Sequence, residues 1–155
     1  MEIQRVAERL GLEKSKVMQV LGNFKLVRNT DTKKYRQYTF DNFDEPIIKL
    51  DICLSNNNSK KVNAIIDTGF NGYVSIPTSL IEESNWDFLG TEEYELANGD
   101  IVEEKVYLGK IFFDGDELQV FSLTNRTNDV LIGTKVLKNK ILKINFKDLK
   151  VTIEG

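Results

Sequence analysis

The sequence NAIIDTG at positions 63–69 places a carboxylic acid directly after an apolar run. Val62–Ile66 is typical of a short central strand with both faces buried. Asp67 follows where the chain should be entering the core, and burial of a carboxylate is costly without hydrogen bonds or a shared proton. Thr68 adds a hydroxyl, and Gly69 permits a tight turn. A carboxylate held in this way at the end of a buried strand can bind and activate a water.

Around this motif, from residue 46 onward, apolar residues alternate or form short runs between turn signals. The predicted strands lie at 47–54, 62–66, 73–76, 92–96, 101–113, 118–123, 130–132, 141–146 and 149–153. Short helices are predicted at Thr78–Ser84, with Thr78 as the cap, and at Thr134–Lys138. Asn98 and Gly99 form a strong hairpin-turn signal. Many short strands with frequent turns predict a mainly β body.

The composition narrows the available chemistry, because the sequence contains no histidine and only one cysteine. Ser-His and Cys-His nucleophile pairs, His-liganded metal sites and an internal disulfide are therefore excluded. Cys53 is predicted to be structural or inert. Asp114, Asp116 and Glu117 lack the spacing of a dedicated calcium site and are interpreted as a solvated turn. We expect no metal and no cofactor, which leaves carboxylates as the candidate catalytic groups.

The motif and its surroundings resemble the active-site signature of the retropepsin-like (retroviral-type) aspartic proteases. Residues 67–73 (DTGFNGY) look most like small prokaryotic members, and residues 130–137 (VLIGTKVL) are similar to the second family element. The hairpin around Asn98 and Gly99 lies between them, where the family places its flap. The resemblance covers about residues 47–154. It implies a closed β-barrel, or acid protease lobe, with one or two short helices.

The resemblance also implies an aspartic endopeptidase, in which two carboxyl groups about 3 Å apart share one proton and activate a water. The sequence holds a single Asp-[Thr/Ser]-Gly, at Asp67. A second Asp67 must then come from another copy of the chain in a two-fold homodimer. By resemblance, Thr68 would bond across the dimer axis. Gly69 would bond the backbone of an extended peptide or protein substrate, which binds as an added strand.

Further residues around the substrate follow from the same resemblance. The flap tip of Ala97, Asn98 and Gly99 would close over the peptide. The candidate pocket walls, beside Gly133 of the second element, are Ile76, Leu96, Ile101 and Ile132. Apolar residues at strand spacing also occur in an ordinary hydrophobic core. Both interpretations of these four side chains, pocket wall and core, therefore stay open.

This chain departs from many viral members of the family at two positions. Those members carry an acidic residue two places after Asp-Thr-Gly, paired with an arginine just after the glycine of the second element. Asn71 and Thr134 occupy these places here. Both charges are absent together, so no unpaired charge results, and the dimer must be held in another way.

The N-terminal part of the chain differs in charge from the remainder. Residues 1–40 carry nine Lys and Arg against four Asp and Glu, whereas residues 41–155 carry twelve against twenty. We therefore predict a basic unit at 1–43 and a protease-like domain at 44–155, joined by a linker at Asp41–Pro46. Two helices around Gly11, followed by a hairpin of Lys25–Arg28 and Tyr35–Phe40, form the predicted basic unit.

This basic unit resembles the helix-turn-helix pattern of bacterial DNA-binding proteins. The residues that would face a major groove are Lys14, Ser15, Lys16 and Gln19. A helical pair that merely packs on the protease domain is the other interpretation. The alternative function is accordingly a non-enzymatic DNA-binding regulator whose protease-like body serves for dimerisation. With a charged N-terminus, no membrane-length apolar run and an unpaired cysteine, we expect a cytoplasmic protein without a membrane partner.

Overall fold

The computed structural model describes residues 35–155. The strands of this part are β1 (Tyr35–Thr39), β2 (Ile47–Cys53), β3 (Ser59–Ile66), β4 (Val74–Pro77), β5 (Asp87–Glu95), β6 (Ile101–Phe113), β7 (Asp116–Asn125), β8 (Val130–Ile132), β9 (Ile141–Asn145) and β10 (Lys150–Glu154). Between them lie a 3-10 turn (Ser55–Asn57) and the helix α1 (Thr78–Ser84). None of the helical segments within residues 35–155 has the length and apolar character needed to span a membrane.

Six of the strands close a barrel. Their order is β2-β3-β8-β4-β7-β6, and pairing of β2 with β6 joins the two ends. The β3–β8 and β4–β7 pairs are parallel, and the other pairs of the barrel are antiparallel. β5 pairs with β6 beyond the barrel and forms a long hairpin. The prediction of a mainly β, closed-barrel fold with one or two short helices is confirmed for the described residues.

The barrel interior is filled by side chains at alternate strand positions. In β2, Ile48, Leu50 and Ile52 are almost fully buried, while Lys49 between them is exposed. Burial of one such side chain contributes about 1.5–3 kcal/mol to folding. The main core also takes in residues of β3, β4, β6, β7, β8 and β10. A smaller apolar cluster of Leu89, Val106 and Leu108 supports the base of the β5–β6 hairpin.

A second sheet of three antiparallel strands, in the order β1-β10-β9, packs against this core. Val151 and Ile153 of β10 are fully buried, and β1 runs beside β10 over its whole length. The N-terminal described strand is therefore paired with the C-terminal strand of the chain. Lys25–Arg28, the predicted hairpin partner of this segment, lies outside the described residues, so that hairpin and the division at residues 43 and 44 stay predictions.

The predicted linker forms a closed turn between β1 and β2. Phe40 and Pro46 make an isolated antiparallel bridge, and the Asp41 N–H donates to the Glu45 carbonyl at 2.9 Å. The Asp41 carboxylate accepts the N–H groups of Phe43 and Glu45 at 2.8 and 3.0 Å. These local bonds, which acidic composition alone did not indicate, hold the segment compact.

The two short helices predicted from sequence have different outcomes. Thr78–Ser84 is helical as predicted, although its cap residue is Pro77 and the Thr78 hydroxyl donates to the Asn125 carbonyl. The prediction of a helix at Thr134–Lys138 is wrong, because this segment consists of turns. The N–H groups of Thr134 and Lys135 donate outside the segment, and those of the next two residues reach only three residues back.

Cys53 is the last residue of β2, and its carbonyl accepts the indole N–H of Trp86 at 2.8 Å. Partial burial raises the pKa of the Cys53 thiol. Because the thiolate is the reactive form, we expect iodoacetamide at pH 8 to alkylate the folded chain several-fold more slowly than the urea-unfolded chain. Mass spectrometry of quenched time points measures both rates. Equal rates in the two states would contradict the prediction.

Candidate active site

Asp67 lies at the point where β3 leaves the barrel. Ile66 pairs with Ile132 in the parallel β3–β8 ladder, and the next N–H, that of Asp67, donates to the Ile132 carbonyl at 3.0 Å. The Asp67 side chain is half-buried, and its Oδ1 accepts the Gly69 N–H at 3.0 Å. The carboxylate is thus oriented by backbone and remains accessible. Thr68 and Gly69 are exposed beside it.

The loop after Asp67 is held by the segment that follows β8. Three consecutive N–H groups, those of Gly133, Thr134 and Lys135, donate to the carbonyls of Tyr73, Phe70 and Gly72 at 2.8, 2.9 and 3.1 Å. The structure therefore brings together the two sequence elements that the motif analysis paired. Thr134 thus contacts the Asp67 loop through its backbone N–H, which bonds the carbonyl of the residue before the exposed Asn71. Neither Asn71 nor Thr134 carries a charge.

Gly133 allows this contact because it has no Cβ. A Cβ at this position would lie 2.3 Å from the Gly72 carbonyl oxygen and 2.7 Å from that of Phe70. Both atoms belong to the backbone and cannot rotate away. The loop can approach the end of β8 this closely only with glycine at position 133.

A cleft of about 370 Å³ separates the Asp67 loop from the β5–β6 hairpin. It begins at Gly69, two residues from the carboxylate. Its lining residues are Gly69, Phe70, Asn71, Gly72, Tyr73, Glu92, Tyr94, Val106, Phe121, Leu123 and Lys135. An apolar, partly aromatic wall with a few polar groups is typical of binding sites.

Polar groups of this cleft are fixed by contacts along its walls. The Tyr94 hydroxyl donates to Glu92 Oε2 at 2.7 Å, and Lys135 Nζ lies 5.6 Å from the centroid of the Tyr73 ring. Sequence reasoning missed these four residues. Glu92 and Tyr94 alternate along β5 and so share one of its faces, but periodicity does not indicate which face meets a cleft.

The β5–β6 hairpin carries the predicted flap tip. The N–H groups of Leu96 and Gly99 donate to the carbonyls of Asp100 and Leu96, both at 2.8 Å, so residues 97–99 form a tight turn. Gly99 adopts a φ of +87°, which favours glycine. Leu96 and Ile101 are 46% and 69% exposed at this tip and are not among the residues that line the cleft. Their predicted contact with a substrate would require the hairpin to close.

Two predicted pocket residues have a different location. Ile76 in β4 and Ile132 in β8 are fully buried in the barrel core, so they do not line the cleft. Gly133 is also buried, beneath the Asp67 loop. In short strands such as these, alternation identifies a buried face but does not distinguish barrel interior from binding cleft.

The remaining predicted sites fall into two groups. Lys14, Ser15, Lys16 and Gln19 lie outside the described residues, so DNA contact stays a prediction. The interpretation of Asp114 as part of a solvated turn is wrong, since its side chain is 1% exposed and accepts a 2.8 Å bond from Arg36 Nε. Among residues 35–155 no group of three or more Cys, Asp or Glu side chains could hold a metal ion.

Comparison with known proteins gives matches to solved structures. No protein-family model and no curated protein matches this chain. The solution structure of the simian foamy virus (mac) protease is 15% identical, with a TM-score of 0.45, over 59% of this chain and 90% of the viral one. A foamy viral protease-reverse transcriptase in complex with an RNA/DNA hybrid is 18% identical, also with a TM-score of 0.45, over 64% of this chain and 13% of the other. These similarities concern the fold alone.

Proposed function

We propose that this chain is an aspartic endopeptidase that acts as a homodimer, with Asp67 of each copy as the catalytic pair. One observation carries the proposal. The accessible carboxylate of Asp67, oriented by the Gly69 N–H, stands at the end of a buried strand and beside a largely apolar cleft. This arrangement has half of what acid–base hydrolysis by carboxylates needs. A two-fold axis near Asp67 supplies the other half from an identical chain.

In such a dimer the two carboxyl groups lie about 3 Å apart and hold one proton between them, since two negative charges at that distance repel strongly. The ionised carboxyl accepts a proton from a bound water, whose oxygen attacks the peptide carbonyl carbon. The protonated carboxyl donates its proton to the carbonyl oxygen. As the C–N bond breaks, the amine leaves with a proton from the pair. A hydroxyl of the tetrahedral intermediate gives a proton back to the ionised carboxyl, so the pair again holds one proton. The reaction consumes one water and needs no cofactor.

The cleft and the hairpin suit an extended peptide. A peptide between the Gly69 loop and β5 has backbone groups on both sides for strand-like hydrogen bonds. Tyr73 and Phe121, whose ring centroids are 6.2 Å apart, give an apolar surface for a substrate side chain. Closure of the tip around Asn98 and Gly99 would exclude water from the reacting groups.

Mixing active and inactive subunits tests whether the site is shared. Wild-type chain is allowed to exchange with an equal amount of the Asp67→Asn chain, and cleavage of a peptide mixture is followed by mass spectrometry. With random pairing, about one quarter of the dimers keep two Asp67 residues, so activity per total dimer should fall to that fraction. A chain with its own complete site would retain half. Asp87→Asn, at an exposed carboxylate in β5, is the matched control and should leave activity unchanged.

A further inference from the structure

Two neighbouring turns present large apolar side chains to solvent. Phe43, in the turn between β1 and β2, is 82% exposed. Phe146 and Leu149, in the turn between β9 and β10, are 67% and 43% exposed. We call the exposed side of these two turns, residues 41–45 and 146–149, the turn surface. Large apolar side chains exposed on neighbouring turns are candidates for an interaction site.

The two turns are joined to each other. The Thr39 hydroxyl donates to the Leu149 carbonyl at 3.4 Å, and Thr39 pairs with Lys150 at the end of the β1–β10 ladder. The rings of Phe40 and Phe146 meet edge to face, with centroids 5.3 Å apart. Phe40 is buried and Phe146 is largely exposed, so this ring contact connects the turn surface to the hydrophobic core.

Both turns hold these side chains outward in fixed backbone conformations. Asp41 Oδ1 accepts the N–H groups of Phe43 and Glu45, as described above. In the other turn, Asn145 Oδ1 accepts the N–H groups of Lys147 and Asp148, both at 3.0 Å. Leu149 has a φ of +51°, a left-handed backbone conformation that is strained for a bulky residue and persists only where the surroundings impose it. Exposure at this surface is thus part of the fold.

The turn surface is also connected to the Asp67 strand. The Pro46 carbonyl, at the end of the first turn, accepts the Ile66 N–H at 3.0 Å, and Ile66 immediately precedes Asp67. If the two-fold axis passes near Asp67, the surface around that residue must meet the partner copy. A typical interface covers about 800 Å² on each side, which extends well beyond the catalytic loop itself.

A second copy cannot join by adding a strand to β10, because β10 is hydrogen-bonded to β1 on one side and to β9 on the other. The charges of the turns favour a different contact. The first turn contains Asp41, Asp44 and Glu45, whereas the second has Lys147 and Lys150 against one aspartate. A two-fold axis that passes between the two turns places the acidic turn of one chain against the basic turn of the other, so their charges attract.

We propose that the turn surface is the contact through which two copies of this chain associate. Phe43, Phe146 and Leu149 form its apolar centre, and Asp44 and Lys147 pair across it between chains. The inference rests on the proposed function in one respect, since Asp67 requires a second copy. It goes further by assigning the surface that brings that copy into place.

The test measures the dimer dissociation constant by sedimentation velocity over a range of protein concentrations. Phe43→Ser combined with Phe146→Ser should raise this constant at least tenfold. Phe88→Ser, at a residue 55% exposed on β5, is the matched control and should leave it unchanged. Asp44→Lys and Lys147→Glu should each weaken the dimer, and the two together should restore it. The charge variants change only exposed side chains and apply even if the double serine variant fails to fold.

These measurements test the dimer contact independently of the proposed catalytic activity. If the double serine variant has the dissociation constant of the wild type, the turn surface is not the dimer contact. The same holds if combining the two charge changes does not restore the dimer. If such variants still cleave peptides, Asp67 remains the catalytic group of a dimer formed elsewhere. A wild-type chain that stays monomeric at every concentration overturns the inference as well. Cleavage by the Asp67→Asn chain would reject the proposed function while leaving the dimer contact to be judged by its own measurement.

Discussion

Replacement of Asp67 by asparagine should abolish peptide cleavage, with a fall in kcat of at least about 10⁴-fold, because both proton transfers pass through the carboxyl pair. Asparagine has nearly the same shape, and its Oδ1 can still accept the Gly69 N–H that orients Asp67. The change removes charge and proton transfer without opening a cavity. Fold and dimer should therefore be preserved, since two neutral amides do not repel.

The measurement needs no known substrate. A peptide mixture from a digested proteome is incubated with the wild-type chain between pH 3 and pH 8, and new termini are identified by mass spectrometry. Thermal unfolding and sedimentation of Asp67→Asn show whether the fold and the dimer persist. Undiminished cleavage by this variant would reject Asp67 as the catalytic residue. A wild-type chain without any cleavage would favour the non-enzymatic alternative.

Replacement of Gly133 by alanine should lower the free energy of unfolding by about 3 kcal/mol and remove most of the activity. The new Cβ would lie 2.3 Å from the Gly72 carbonyl oxygen, so the Asp67 loop must move away from the end of β8. Overpacking in a protein interior usually destabilises the fold by about 1–3 kcal/mol. We expect the upper value here because the backbone oxygen cannot rotate away. Displacement of the loop also breaks the three N–H bonds that position it, and small misplacements of catalytic groups reduce rates strongly.

Gly109→Ala separates these two effects. A Cβ at Gly109 would lie 1.9 Å from the Trp86 ring, on the side of the barrel where Trp86 bonds Cys53. This variant should also be destabilised, yet its activity per folded molecule should match the wild type. Urea unfolding gives the free energy of unfolding for both variants, and cleavage below the transition gives the activity. Equal specific activity in the two variants would show that Gly133 has no special link to the site.

The local features of the site could be predicted from sequence. Asp67 follows an apolar strand, Gly69 permits the turn whose N–H reaches the carboxylate, and Asn98-Gly99 forms a hairpin tip. Each depends on residues within a few positions of each other, so composition and spacing contain the necessary information. The mainly β body followed from the same local patterns.

Features that depend on distant parts of the chain were not predictable in this way. The N–H groups of Thr134 and Lys135 bond a loop some sixty positions earlier, and the bonds within this segment reach only three residues back, so it forms turns instead of the predicted helix. Asp114, expected in solvent, is buried against Arg36, 78 residues away. Ile76 and Ile132 became core, while Glu92 and Tyr94 reached the cleft, because barrel closure decides which strand face points inward.

The amino-acid sequence by itself thus determined the chemistry open to this protein. It lacks histidine, has one cysteine and contains a single Asp-Thr-Gly directly after an apolar run, so carboxylates are the candidate catalytic groups. The tertiary structure alone decided which residues line the cleft beside Asp67 and which large apolar side chains remain exposed. The physical reason is that the reactions a side chain can perform depend on its residue type, which the sequence gives. Its neighbours and its exposure depend on contacts between distant residues, and these form only when the barrel closes.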